Sequence, residues 1–440
     1  MSIVTRVGAA LQQLFGPLAQ EAGQETQVIV RQRKFTCFSL ARTFILGFLH
    51  KPQATDEQLA QIAVQAGTDV TPQAVAQRKS PRLVQFLEKL FRKAAALIVG
   101  SDRSLAPLLE RFSSVTILDS TTITLPDSES ERFAGCGGSY HGGVAAMKLQ
   151  TELDLRRGAL SHIEIEPGRS PDGASSRQQA MPPVGGLRIT DLGYFCVAVF
   201  AAIMAAKAHF LSRLQFGTKV MLRNGSGIDL LKWLPQQLGQ YIDVEILLGS
   251  SERLPCRLVA WRLPEEQANR RRHKLRKELR DKCKPEPSVE RLAWCDWTVL
   301  ITSLSTEQLT PPEAVILYRA RWQIELLFKR WKSQDLVAVL SGSTEVAQMV
   351  GVWSRLSAAL VQHWLMVCSA WGDVLRSWVK VNEATRTFVN RLLAALDDVR
   401  DLERVLNDLC KVVAKTCRRN TRSKPGTVEL LNDPTRLDFS

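Results

Sequence analysis

Tyr318-Arg319-Ala320-Arg321-Trp322-Gln323-Ile324-Glu325-Leu326-Leu327-Phe328-Lys329-Arg330-Trp331-Lys332 is the stretch on which the reading of the whole chain turns. On a helix turning by about 100° per residue, with Tyr318 at zero, Arg321, Lys332, Glu325 and Lys329 fall at roughly 300°, 320°, 340° and 20°. One carboxylate therefore shares a narrow stripe with an aromatic hydroxyl and three cations. Ile316, Leu317, Ala320, Ile324, Leu327, Phe328 and Trp331 occupy the adjoining face, which is expected to be buried. The stripe then lies at the margin of a core, where a cleft opens. An Arg321–Glu325 pair at i,i+4, worth a few tenths of a kcal/mol, explains any single member. The set as a whole suits a cation and a phosphate chain, with Glu325 on the ion and the cations and Tyr318 on phosphate oxygens.

Upstream the period becomes that of strands. Val115-Thr116-Ile117-Leu118 ends in Asp119 and is followed by Thr122-Ile123-Thr124-Leu125. Met147 to Leu155 and Leu160 to Ile165 alternate around Arg156-Arg157-Gly158, a hairpin turn. Leu187-Arg188-Ile189-Thr190 stops at Asp191; a buried helix over about 195–207 and the strand-like His209–Leu214 follow. Antiparallel strands and then strand–helix–strand is the order of an α/β, RNase H-like core. Residues 217–297 interrupt it with the strand-like pieces Lys219–Leu222, Val244–Leu248 and Arg257–Trp261 and with a basic tract. That tract packs nine Lys and Arg into 270–284, beginning Arg270, Arg271, Arg272 and Lys274, and reads either as a solvated face or as a phosphate-binding surface. Thr298–Thr302 returns to the core, and the helix after Pro311-Pro312 carries Glu325.

The expected organisation is a helical DNA-binding region over 1–112, core over 113–216, a β-rich insertion over 217–297, core again over 298–345, and a helical region over 346–440 suited to dimerisation. At the N-terminal end, Thr55-Asp56-Glu57-Gln58 and Thr71-Pro72 open two successive helices. Their turn and the basic second helix leave a helix-turn-helix and an ordinary helical hairpin both open. Cys417 to Lys424 reads as a loose basic tail.

The 440 residues are enough for several domains, and 45% hydrophobic content is ordinary for a globular chain. Lys and Arg outnumber Asp and Glu by 58 to 44, a net +14 that favours a polyanionic partner. The longest apolar run, Phe195 to Ala206, falls short of the roughly 18 residues that span a bilayer, and no signal peptide is evident. Nine cysteines without a CxxC, several in apolar runs, point to a reducing cytoplasm with neither disulfides nor a zinc site.

The helix segment resembles the signature of DDE transposases of bacterial insertion sequences, specifically the insertion-sequence-four family. Tyr318, Arg321, Glu325 and Lys332 match its Tyr-x2-Arg-x3-Glu-x6-Lys pattern at every spacing. Ile117-Leu118-Asp119-Ser120-Thr121-Thr122 resembles the family's first aspartate motif, and Asp191-Leu192-Gly193-Tyr194-Phe195 its second. The resemblance covers roughly 113–340, including the insertion. It implies catalytic, metal-binding Asp119, Asp191 and Glu325 with two Mg²⁺ or Mn²⁺ ions. It further implies excision and joining of DNA through a hairpin, by a homodimer acting on terminal inverted repeats and target DNA in the bacterial cytoplasm, at the nucleoid. Hairpin formation in that family flips a base onto an aromatic residue; Trp297 is the candidate here, with Arg213 contacting phosphate or base. Two rival classes remain: a non-catalytic DNA-binding descendant, which binds without cleaving, and a structure-specific nuclease, which cuts without joining.

Overall fold

The computed structural model describes residues 1–31, 33–139, 142–333, 342–420 and 424–437. Residues 421–423 of the expected basic tail, and 334–341 of the expected second core segment, lie outside the described residues. The chain forms two compact units, each assembled from separated stretches. The first comprises Met1–Leu105, Ser120–Ser170 and Gln323–Arg422; the second comprises Ala106–Asp119, Pro171–Trp322 and Ser423–Ser440.

The strands are β1 (Val115–Thr124), β2 (Ala134–Ser139), β3 (Gly142–Asp154), β4 (Leu160–Pro167), β5 (Leu187–Thr190), β6 (His209–Arg213), β7 (Val220–Leu222), β8 (Gly227–Ile228), β9 (Ile242–Leu248), β10 (Leu254–Arg262) and β11 (Trp297–Thr302). β1 runs from the second unit into the first at Asp119.

In the first unit, β3 pairs antiparallel with β2 through its first half and with β4 through its second, Thr151 opposite Ile163. The β3–β4 turn needs Gly158: its φ is 72°, and a Cβ there would stand 2.4 Å from the Trp371 ring. The core is the helix Glu345–Ala370, apolar on nearly every side because helices Pro81–Ala95, Trp378–Thr387 and Val399–Thr416 pack around it. Trp353 and Trp364 are its largest buried side chains. Helices Asp56–Gln65 and Pro72–Arg78 both start at threonine caps, as the sequence predicts. The expected loose tail is tied down at its start: Cys417 is buried, its carbonyl accepts from the Ser377 N–H at 2.8 Å, and Arg418 bridges to Arg376.

In the second unit, β1, β5 and β6 run parallel, with Val115 opposite Leu187 and Leu187 opposite His209. The helix Val197–Ala205 crosses from β5 to β6, as parallel neighbours require. β11 then pairs antiparallel with β6, and β10, β9, β7 and β8 follow outward. Residues 217–297 therefore lengthen the core sheet instead of standing apart from it, because β10 is bonded on both edges. Phe200 stacks on Phe210 at 4.5 Å in the core beneath, among Leu258, Ala260 and Ile301.

The segment that opens the sequence reading is two helices, Pro311–Ala320 and Trp322–Ser333, rather than one. They part at Arg321, whose N–H donates to the Tyr318 carbonyl three residues back, tightening that turn.

Candidate active site

Asp119 and Asp191 are neighbours by register. Ile117 pairs with Ile189 in the parallel β1–β5 ladder, and each aspartate lies two residues further on. Asp191 directly follows β5, whereas β1 continues past Asp119 to Thr124, so Asp119 lies within its strand and does not end it as the sequence predicts. Side chains that bind ligands cluster where parallel strands end because the chain there leaves the sheet and exposes them, which is the position of Asp191. Asp191 is fixed by its own turn: Oδ1 accepts the Gly193 N–H at 2.8 Å, capping the short turn Leu192–Tyr194. Asp119 is fixed by a cation, with its Oδ2 3.4 Å from Arg321 Nη1 and both side chains largely buried.

A third carboxylate lies close by that sequence reasoning missed. A Cβ built on Gly193 would stand 3.1 Å from Asp191 Oδ1 and 3.3 Å from Asp172 Oδ2, so the glycine leaves room for two acids. No motif marks Asp172; only the fold brings the turn Asp172–Ala174 to the end of β5.

Tyr318 and Arg213 complete this end of the unit. Burial raises the Tyr318 hydroxyl above its ordinary pKa, opposed by the Arg321 and Arg213 cations, while Asp191 raises it further. Beside them a cavity of about 490 Å³ is walled by five cations, Arg213, Arg271, Arg319, Arg321 and Lys424, with no Asp or Glu among the described residues that line it. Trp261, Tyr318 and Trp322 supply its aromatic walls. The structure places Trp297 elsewhere: it is 8% exposed and packed in the hydrophobic core, whereas Trp322 is 44% exposed at the cavity. A tryptophan beginning a central strand is held there by packing.

The basic tract forms the helix Glu265–Asp281. Of its first cations, Arg271 turns inward and donates to the Trp297 carbonyl at 3.0 Å and to Thr298 Oγ1 at 2.9 Å. Burial, then the nearby Arg213, pulls its pKa down to about 10, so it stays charged at neutral pH. Arg272 is held by Asp296, Arg270 by Glu266, and Lys274 lies 3.7 Å from Glu278. These four have partners within the chain, and the open cations of the tract are Lys277, Arg280, Lys282 and Lys284 at its far end.

Glu325, Lys329 and Lys332 belong to the first unit, on the helix Trp322–Ser333. Glu325 lies in its first turn, half-buried, while Lys329 and Lys332 are exposed; Ile324, Leu327, Phe328 and Trp331 are buried on the expected face. Among the described residues, no three His, Cys, Asp or Glu side chains are drawn together closely enough to hold a metal ion. Asp119 and Asp191 nevertheless fit a divalent cation in donor chemistry, being hard oxygen ligands.

A second basic cavity, about 610 Å³, lies in the first unit between the loop after Thr26 and the helix Pro72–Arg78. Arg31, Arg33, Lys34 and Arg78 line it, with Arg78 5.5 Å over the Phe35 ring. No helix of the described residues is long and apolar enough to cross a membrane.

A mixed sheet with a parallel core, aspartates at neighbouring positions of β1 and just after β5, and a cation-walled cavity suit an RNase H-like enzyme of polynucleotide chemistry. The family described as Transposase DDE domain matches residues 110–351, more than half of the chain, and the chain belongs to that family. It is similar to the transposase for insertion sequence element IS231B of Bacillus thuringiensis subsp. berliner, 24% identical over 93% of this chain and 91% of the relative. It is also similar to the transposase for IS1151 of Clostridium perfringens, 27% identical over 68% and 66% of the two chains. Membership makes it a transposase that acts on DNA and implies dependence on a divalent metal.

Proposed function

We propose that this transposase excises an insertion sequence and joins it to target DNA by cut-and-paste, passing through a DNA hairpin. The observation that carries the reading is the position of Asp119 and Asp191, each two residues beyond the paired Ile117 and Ile189 of two parallel strands. Asp119, Asp191 and Glu325 would hold Mg²⁺ or Mn²⁺, as two ions. Bound there, such ions supply Lewis-acid charge at the attacking and leaving oxygens of an in-line displacement. Arg321 and Lys332 grip phosphates near the scissile bond, with Tyr318 assisting, and Lys329 also binds DNA. The five-cation cavity receives the nucleotide displaced when the hairpin forms, with Arg213 on its phosphate and Trp322 under its base. The N-terminal helices, with the basic cavity at Arg31, Arg33, Lys34 and Arg78, recognise the terminal inverted repeats. A homodimer holds the paired ends, and the enzyme works in the cytoplasm on nucleoid DNA.

Asp119→Asn, Asp191→Asn and Glu325→Gln test this reading. Each is expected to abolish nicking, hairpin formation and joining of a labelled element end in Mg²⁺ while DNA binding persists, since one lost ligand breaks the charge stabilising the transition state. A variant that still cleaves at more than a few per cent of the wild-type rate removes that residue from the site.

A further inference from the structure

The five cations around the 490 Å³ cavity come from two parts of the chain. Arg213, Arg271, Arg319 and Arg321 lie within the stretch matched by the family, 110–351. Lys424 arrives from beyond it, together with Thr427 on the same wall. Its position is built. The helix Thr427–Asn432 packs against Pro311–Ala320, which carries Tyr318 and Arg319, and against the turn Pro107–Arg111. Leu430 and Leu431 are buried at those contacts, and the Gly426 N–H donates to Glu429 Oε2 at 2.6 Å to start the helix.

Five like charges about one small space repel each other, and of them Arg321 has the Asp119 carboxylate 3.4 Å away. A wall of that kind suits an anionic ligand, and three aromatic rings suit a base attached to it. The cavity falls in the size range of sites that enclose a small ligand, which a single nucleotide matches.

We propose that the segment 424–437 is a working wall of the strand pocket and that Lys424 binds a phosphate of the DNA strand whose nucleotide enters it. The proposal rests on the reading of this cavity as a strand pocket. Lys424 is then a positioning residue: it holds the displaced strand and does not touch the reacting bond.

The test uses the full-length protein with Ca²⁺ in place of Mg²⁺, and two fluorescent duplexes of the same sequence. One is blunt and one carries a three-nucleotide single-stranded 5′ overhang with 2-aminopurine. The wild type is expected to bind the overhang duplex more tightly and to change the 2-aminopurine signal. Lys424→Ala is expected to weaken overhang binding about five- to tenfold and to lower its salt slope by roughly 0.7, the share of one single-strand phosphate contact. Blunt-duplex binding should be unchanged, and Lys424→Arg should restore the overhang preference. Lys424→Met, which keeps the aliphatic stem, guards against a packing effect and should behave as Lys424→Ala. If Lys424→Ala and Lys424→Met match a wild type that prefers the overhang, the segment is only a clamp on Pro311–Ala320 and the proposal fails alone. If the wild type shows neither preference nor signal change, the strand-pocket reading fails with it, while the aspartate variants still decide the catalytic reading.

Discussion

Gly193 carries the tightest constraint at the residue scale. It sits between Asp191 and Asp172, and its N–H holds one oxygen of Asp191. A methyl group at 3.1 and 3.3 Å from two carboxylate oxygens forces one of them to shift by a few tenths of an ångström. Catalytic groups tolerate little displacement, so Gly193→Ala should lower strand cleavage about tenfold. The position is exposed and needs no positive φ, so stability should change by no more than about 0.5 kcal/mol. Cleavage kinetics set beside a denaturant melt check both halves; unchanged cleavage would mean that the two acids have room to spare. The site was legible here only in part. Asp119 and Asp191 announce themselves because each follows a short hydrophobic run of strand period, whereas Asp172 comes to Gly193, and Lys424 and Trp322 to the cavity, through packing that no local pattern encodes.

At the scale of elements, the helix Glu265–Asp281 divides in two. Its first turns are bonded to the chain through Arg271 and Arg272, while Lys277, Arg280, Lys282 and Lys284 face outward beyond them. Neutralising Arg271 and Arg272 should therefore destabilise the second unit, because it removes bonds to Trp297, Thr298 and Asp296. Neutralising the four distal cations should instead leave the melt alone and flatten the salt dependence of DNA binding, by up to roughly one unit of slope per phosphate contact. Anisotropy titrations over a salt series separate the two sets. On a blunt duplex, which offers no displaced nucleotide to the cavity at Arg271, equal loss of slope from both would show that the inner arginines also reach the duplex. Charge density alone could not draw this line, since a run of nine cations looks uniform in sequence. Strands and helices with clear periods, such as Leu187–Thr190 and Asp56–Gln65, were legible to within a residue or two. The break at Arg321 was not, because the 3.6-residue pattern continues straight through it.

The whole molecule is knitted from distant stretches, and His363 shows what holds one unit together. It lies in the buried helix Glu345–Ala370, and its Nε2 is 2.7 Å from the Gly158 carbonyl at the β3–β4 turn. Nε2–H donates in that bond, so the ring can remain neutral. Burial drives its pKa down from 6.5 to about 4, opposed by the Gly158 bond and aided by Arg330. The unfolded chain takes up a proton near pH 6.5 that the folded chain refuses until about pH 4. The unfolded state thus binds more protons throughout that window, and stability falls as pH falls. The neutral histidine's contribution is fully present above pH 6.5 and is lost by about pH 4, a change on the order of 3 kcal/mol. Carboxylates titrate over part of the same range, so the informative quantity is the difference between wild type and His363→Gln. Glutamine reaches the same carbonyl with an amide N–H and does not titrate. Urea melts at pH 7, 5.5 and 4.5 should show the variant less stable at pH 7 but with a flatter decline toward acid. Identical pH slopes for the two proteins would show that another group sets the acid limit of the first unit.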